Sequence, residues 1–128
     1  MSASVRDRVG PLALSQPSLQ LLILYGSRAR GDAHPGSDWD FGYLAGPDFD
    51  PGHLLGSLVR TLECDAIDLV DLARASGHLR YRAAADAVVV HGATSVFNQF
   101  WFDAVSYWCD MQGVIRAEYA RALAELPR

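Results

Sequence analysis

The sequence predicts an α/β fold, a small mixed sheet with helices packed on one side of it and a long C-terminal helix. Three observations predict it. Leu19 to Tyr25 is a nearly continuous apolar run, the signature of a buried central strand. Asp38 to Leu44 alternates acidic and apolar positions as a strand does, and Ala66 to Leu72 is a second short apolar segment carrying Asp68 and Asp71. Residues 94–126 carry apolar side chains at helical spacing to the end of the chain. With 128 residues, half of them hydrophobic, the chain has room for one domain, residues 1–128, with one core.

Taken in order, residues 4–14 set Val5, Val9 and Leu12 at helical spacing, but Gly10-Pro11 interrupts that helix. Ser15-Gln-Pro-Ser18 turns into the strand Leu19–Tyr25. Gly26-Ser27 follows, and Arg28-Ala-Arg30 begins a short helix whose first amides point back along the strand end. His34-Pro-Gly-Ser37 is a loop, with His34 read as exposed. After the Asp38–Leu44 segment comes a turn, Gly46 to Asp50. Asp50 then caps a helix that has Pro51 at its first position and Leu54, Leu55, Leu58, Val59 and Leu62 on one face, ending near Glu63. Ala66–Leu72 is the next strand. Arg74–Ala87 is alanine-rich and helical, and Val88–Val90 is a short strand closed by His91-Gly92. Arg80, Tyr81 and Arg82 could approach a bound ligand, although two solvated arginines and a half-buried tyrosine are the simpler reading. The final helix aligns Phe97, Trp101, Ala104, Trp108, Met111, Ile115, Tyr119, Ala122 and Leu126 in a stripe expected to pack on the domain. Phe102 falls on the opposite side and suggests a protein partner.

Paired charge stands out within the second strand. Alternation puts Asp38, Asp40 and Gly42 on one face and Trp39, Phe41 and Tyr43 on the other. Two residues of strand span about 7 Å, and carboxylates at that distance repel by about 2 kcal/mol at an effective dielectric near 20. A divalent cation offsets that repulsion, and oxygen-only ligands favour magnesium or manganese over zinc. Gly26 lets the backbone approach a phosphate, and the Ser27 hydroxyl and nearby N–H groups can donate to it. Arg28 or Arg30 can pair with phosphate oxygens or stay solvated. Among Asp65, Asp68 and Asp71, Asp68 lies mid-strand, where an unpaired acid is costly, whereas the other two lie near the strand ends. Asp48 and Asp50 read as turn and cap residues.

The stretch Gly26-Ser-Arg-Ala-Arg-Gly31, with ten residues between Ser27 and the Asp38-Trp-Asp40 triplet, resembles the minimal nucleotidyltransferase branch of the polymerase-beta-like superfamily. The resemblance implies that fold and a third catalytic acid mid-strand, which again points to Asp68, with Asp71 as the alternative. It implies that Asp38, Asp40 and Asp68 hold the metal ions, that Gly26, Ser27 and Arg28 bind the nucleotide, and that ATP is the substrate. Single-domain members are often antitoxins that transfer AMP to a tyrosine of a HEPN-domain RNase toxin, so the resemblance also implies that toxin as partner and a hetero-oligomer with it. A small-molecule acceptor of the aminoglycoside type, and a non-catalytic subunit that neutralises its partner by occlusion, are the alternatives.

Composition narrows the field further. The net charge is −4 and all eleven basic residues are arginine, which excludes a phosphate-loop lysine, a Schiff base and a lysine general base. Nine of the fifteen acids lie between Asp32 and Asp71 with no basic run to balance them, which argues against nucleic acid as a partner. Cys64 and Cys109 are isolated thiols, as in a reducing compartment. No apolar run is long enough to cross a membrane, and the expected location is the cytoplasm.

Overall fold

Strand β1, Leu19–Tyr25, is the central ladder of a four-stranded sheet, and every residue of it except Gln20 is buried. The computed structural model describes residues 2–127. The elements run α1 (Ser2–Val9), a 3-10 turn (Gly10–Ser15), β1, α2 (Ser27–Arg30), β2 (Trp39–Ala45), α3 (Pro51–Leu62), β3 (Ile67–Asp71), α4 (Gly77–Asp86), β4 (Val88–Gly92) and α5 (Thr94–Ala124). The strand order is β3-β2-β1-β4. β1 is antiparallel to β2 and to β4, while β2 and β3 are parallel, joined through α3.

Helices cover both faces of the sheet, which corrects the expectation of helices on one side. One face carries Leu19, Leu22, Leu24, Phe41 and Tyr43 against Val5 and Val9 of α1 and Leu54, Leu58 and Leu62 of α3. The other carries Leu21, Ile23 and Tyr25 against Leu72, Ala83 and Ala84, with Phe100 and Ala104 of α5. The physical reason lies in β1 itself, because a strand apolar at consecutive positions must be covered twice.

The predicted boundaries hold closely. Asp50 caps α3, its carboxylate accepting from His53 N at 3.2 Å, and the buried Gln16 amide donates to Asp50 O at 2.8 Å. α4 begins three residues later than expected, because Ser76 caps it by accepting from Leu79 N at 3.2 Å. β3 is an edge strand and Asp68 on it is exposed, so water meets its carboxylate directly. Cost of burial is therefore not what distinguishes Asp68.

The α5 stripe packs only in part. Phe97 and Ala104 join the core and Trp108 lies against α4, but every described residue from Cys109 onward is exposed, including Met111, Ile115 and Tyr119, the last at 67%. Helix α5 has 31 residues, about 46 Å at 1.5 Å per residue. That is longer than the sheet it leans on, so its C-terminal half has nothing to pack against among the described residues. Phe102 is 62% exposed, as its helical position predicts.

Gly42 in β2 has no room for a side chain, since a Cβ there would stand 2.7 Å from Leu72 Cδ2, and Leu72 is fully buried. Gly42→Ala is expected to destabilise the fold by about 1–3 kcal/mol through overpacking. Gly56→Ala in α3 would meet only the flexible tip of Arg60 and is expected to stabilise by about 0.5–1 kcal/mol. Urea unfolding midpoints that shift in opposite directions, with unchanged slopes, are the check.

Candidate active site

Backbone pairing assembles the site. Asp40 of β2 is in register with Asp68 of β3 on one side and with Tyr25 of β1 on the other. Residues level on adjacent strands point to the same face, so two carboxylates and a phenol stand in a row across three strands. Gly26 continues from Tyr25. Its φ of 76° and ψ of −160° are open to glycine, and a Cβ there would overlap the Asp40 carboxylate. The missing side chain is what gives Asp40 its place.

A cleft of about 250 Å³ opens on this row, lined by Tyr25, Gly26, Asp40 and Asp68 from the sheet side and by His78, Leu79, Arg82 and Asp86 from α4. Of the sequence-predicted site residues, Gly26, Asp40 and Asp68 line it together. Asp38 lies one residue ahead of β2, exposed, and its charge reaches Asp40. Ser27 opens α2 directly after Gly26. Arg28 turns away from the cleft, with its guanidinium 4.6 Å from the centre of the Trp39 ring and one N–H donating to Ser37 O at 3.0 Å. It ties α2 to the chain entering β2, just where Asp38 begins. Asp71, the alternative third acid, accepts from Ala73 N at 3.0 Å in the turn after β3 and does not line the cleft.

The cleft carries uncompensated negative charge. Burial raises the Asp40 carboxyl above its ordinary pKa, and the charges of Asp68 and Asp38 raise it further, against the opposing pull of Arg30 and Arg82. Burial, helped by Asp40 and Asp68, pushes the Tyr25 phenol up to about 12, so it stays neutral at physiological pH. Arg30 neutralises Asp86 at 2.7 Å and also meets Asp32 at 3.1 Å.

These donors suit a hard divalent cation, since the acids at the cleft offer only oxygen and repel one another without a counter-charge. Among the described residues no three His, Cys, Asp or Glu side chains converge into a complete metal cage. Magnesium ordinarily takes one or two carboxylates and completes its shell from water and ligand phosphates, so the fit is to a shared site.

Of the polar α4 residues at the cleft, only Arg82 is named from sequence, and there a solvated arginine is favoured; His78 and Asp86 are not singled out. His78, Arg82 and Asp86 recur every fourth residue in an otherwise alanine-rich helix, one polar stripe on one face, and that spacing was the available signal.

Because the folded pKa of Asp40 is raised, its contribution to stability is fully present below its unfolded pKa and is lost as pH rises through the folded value. Asp40→Asn is therefore expected to raise the thermal midpoint of the metal-free protein at neutral pH. The gain should fade towards about pH 3, where the wild-type carboxyl is itself protonated. Thermal melts at the two pH values test this, and equal midpoints at neutral pH would refute it.

Comparison with known proteins agrees with the geometry. Residues 10–94 match the family model described as Polymerase beta, Nucleotidyltransferase. The protein adenylyltransferase MntA of Aphanizomenon flos-aquae (strain 2012/KM1/D3) is 30% identical over 103 residues, spanning 70% of this chain and 67% of that protein. Among solved structures, a chain of a toxin–antitoxin crystal structure with AMP-PNP matches with a TM-score of 0.74 at 27% identity, covering 92% of this chain and 98% of the other. A chain from the complex of tri-AMPylated Shewanella oneidensis HEPN toxin with MNT antitoxin shares the fold, with a TM-score of 0.70 at 24% identity and coverage of 96% and 99%. The chain belongs to the polymerase beta nucleotidyltransferase family.

Proposed function

We propose that this protein is an antitoxin that transfers AMP from ATP to a tyrosine hydroxyl of a cognate HEPN-domain toxin, releasing pyrophosphate. The observation that carries the reading is the register of Asp40 with Asp68 beside the side-chain-free Gly26, in one cleft. Names of similar proteins supply the acceptor class: the Aphanizomenon relative is called a protein adenylyltransferase, and the Shewanella complex contains an AMPylated toxin.

In this reading Asp38, Asp40 and Asp68 would hold magnesium or manganese, which when bound would neutralise phosphate charge and lower the pKa of the acceptor hydroxyl. The Gly26-Ser27 turn receives the β- and γ-phosphates through backbone N–H groups and the Ser27 hydroxyl. Asp68, exposed on the edge strand, takes the proton from the acceptor hydroxyl as its oxygen attacks the α-phosphorus. One P–O bond forms to the tyrosine oxygen, the bond to the β-phosphate oxygen breaks, and pyrophosphate leaves. Arg28 acts indirectly, by fixing the chain that presents Asp38. Tyr25 remains protonated and can donate to a carboxylate or a phosphate.

A protein acceptor is favoured over a small molecule by α5. Its exposed half presents Met111, Val114, Ile115, Tyr119 and Leu123 without a partner among the described residues, and it leaves the domain beside Trp108, whose ring is 5.2 Å from that of the cleft residue His78. A protein seated on that half lies next to the cleft.

The test is intact-mass spectrometry of the HEPN-domain protein encoded beside this chain, or of the soluble proteome where there is no such neighbour, after incubation with this protein, ATP and magnesium. A gain of one AMP or a multiple is expected. Asp38→Asn combined with Asp40→Asn should reduce transfer by at least about a thousandfold while leaving the complex intact. Transfer at wild-type level by that double variant would remove these residues from the site. Full neutralisation of the toxin by it would mean that occlusion is the function.

A further inference from the structure

The cleft is lined by a single guanidinium. Arg82 projects from α4 one turn after His78 and one turn before Asp86, and its charge acts on both Tyr25 and Asp40 across the cleft. The other arginines near this end of the fold are committed elsewhere. Arg30 holds Asp86 and Asp32. Arg28 lies over Trp39. Arg80 faces the opposite way, over the Phe100 ring. Among the described residues Arg82 makes no ion pair, although Asp40, Asp68 and Asp86 share the cleft with it. Its nearest candidate partner on the same helix face, Asp86, is already satisfied by Arg30.

A guanidinium facing a carboxylate row without bonding to it is placed for a third party that is itself anionic. The sheet wall cannot bind phosphate through its acids directly, so positive charge must come from the helix wall as well. Arginine suits that task, since its planar fork can give two parallel N–H donors to phosphate oxygens. We propose that Arg82 binds the β- and γ-phosphates of the nucleoside triphosphate from the helix wall of the cleft, as a residue that fixes the nucleotide's phosphate tail. This rests on the nucleotidyltransferase reading and adds to it a contact outside the Gly-Ser and Asp-x-Asp motifs.

Equilibrium binding of ATP and of AMP to the whole chain, with magnesium and no acceptor protein, separates the possibilities. Arg82→Ala is expected to weaken ATP binding about 10- to 100-fold and AMP binding less than about threefold, because only ATP carries the phosphates that Arg82 contacts. Arg82→Lys, which keeps a point charge and loses the fork, should recover part of the loss. Arg82 is exposed, so the far-UV circular dichroism of both variants should match wild type. Unchanged ATP affinity in Arg82→Ala would overturn the assignment. Equal losses for ATP and AMP would overturn it too, placing Arg82 at the nucleoside instead. A wild-type chain that binds neither nucleotide would overturn the transferase reading itself, before any substitution is made.

Discussion

Ionised carboxylates on neighbouring strands repel, and the parallel pairing of β2 with β3 sets Asp40 level with Asp68. Adjacent strands lie about 4.8 Å apart, closer than two residues along one strand, so this pair is under more tension than Asp38 with Asp40. The fold tolerates it because β3 is an edge strand and leaves Asp68 in water, while Asp40 alone is drawn partly inside. The neighbours of the pair are matched to that strain. Gly26 gives up a side chain so that the Asp40 carboxylate has space, and Tyr25 offers a phenol that stays neutral beside two anions. Arg30 removes Asp86 from the sum of repulsions. What is left uncompensated is the charge at the cleft mouth, which is where a cation and a phosphate chain would bind.

Much of this was legible in the sequence, and the failures have a common cause. The limits of β1, the Asp50 cap of α3 and the two faces of β2 follow from residue type at a helix start and from side-chain periods of two and 3.6 residues, which are local properties. Asp40 stands out by type and spacing, whereas Asp68 is preferred over Asp71 through the family resemblance, since its exposure removes the argument from burial. That Asp40 and Asp68 share a level, and that Tyr25 completes the row, depends on strand order, which no local period encodes. Arg28 shows the same limit from the other side. It follows Gly26-Ser27 in sequence and so reads as a phosphate ligand, yet the single helical step from Ser27, about 100°, sets it on Trp39. Coverage of both sheet faces was foreshadowed by the unbroken apolar run of β1, and the one-sided reading did not follow that run to its consequence.

Helix α5 joins the cleft to the outer surface, and glycine decides how. A Cβ on Gly77 would run into the Tyr107 ring, so the start of α4 lies flush against that α5 side chain. That contact aligns the cleft-lining face of α4 with the last packed turn of α5, where Trp108 stacks on Tyr81 at 5.0 Å and meets His78. Beyond it the helix has exposed apolar side chains with no partner among the described residues. A bound protein would therefore press on the same helix pair that carries His78 and Arg82. On the proposed transferase reading, its acceptor hydroxyl would meet a cleft whose sheet wall is fixed by strand register and whose helix wall is fixed by α4–α5 packing. The two walls have different determinants, and substitutions at the α4–α5 contact are placed to alter acceptor geometry while leaving the carboxylate pair untouched.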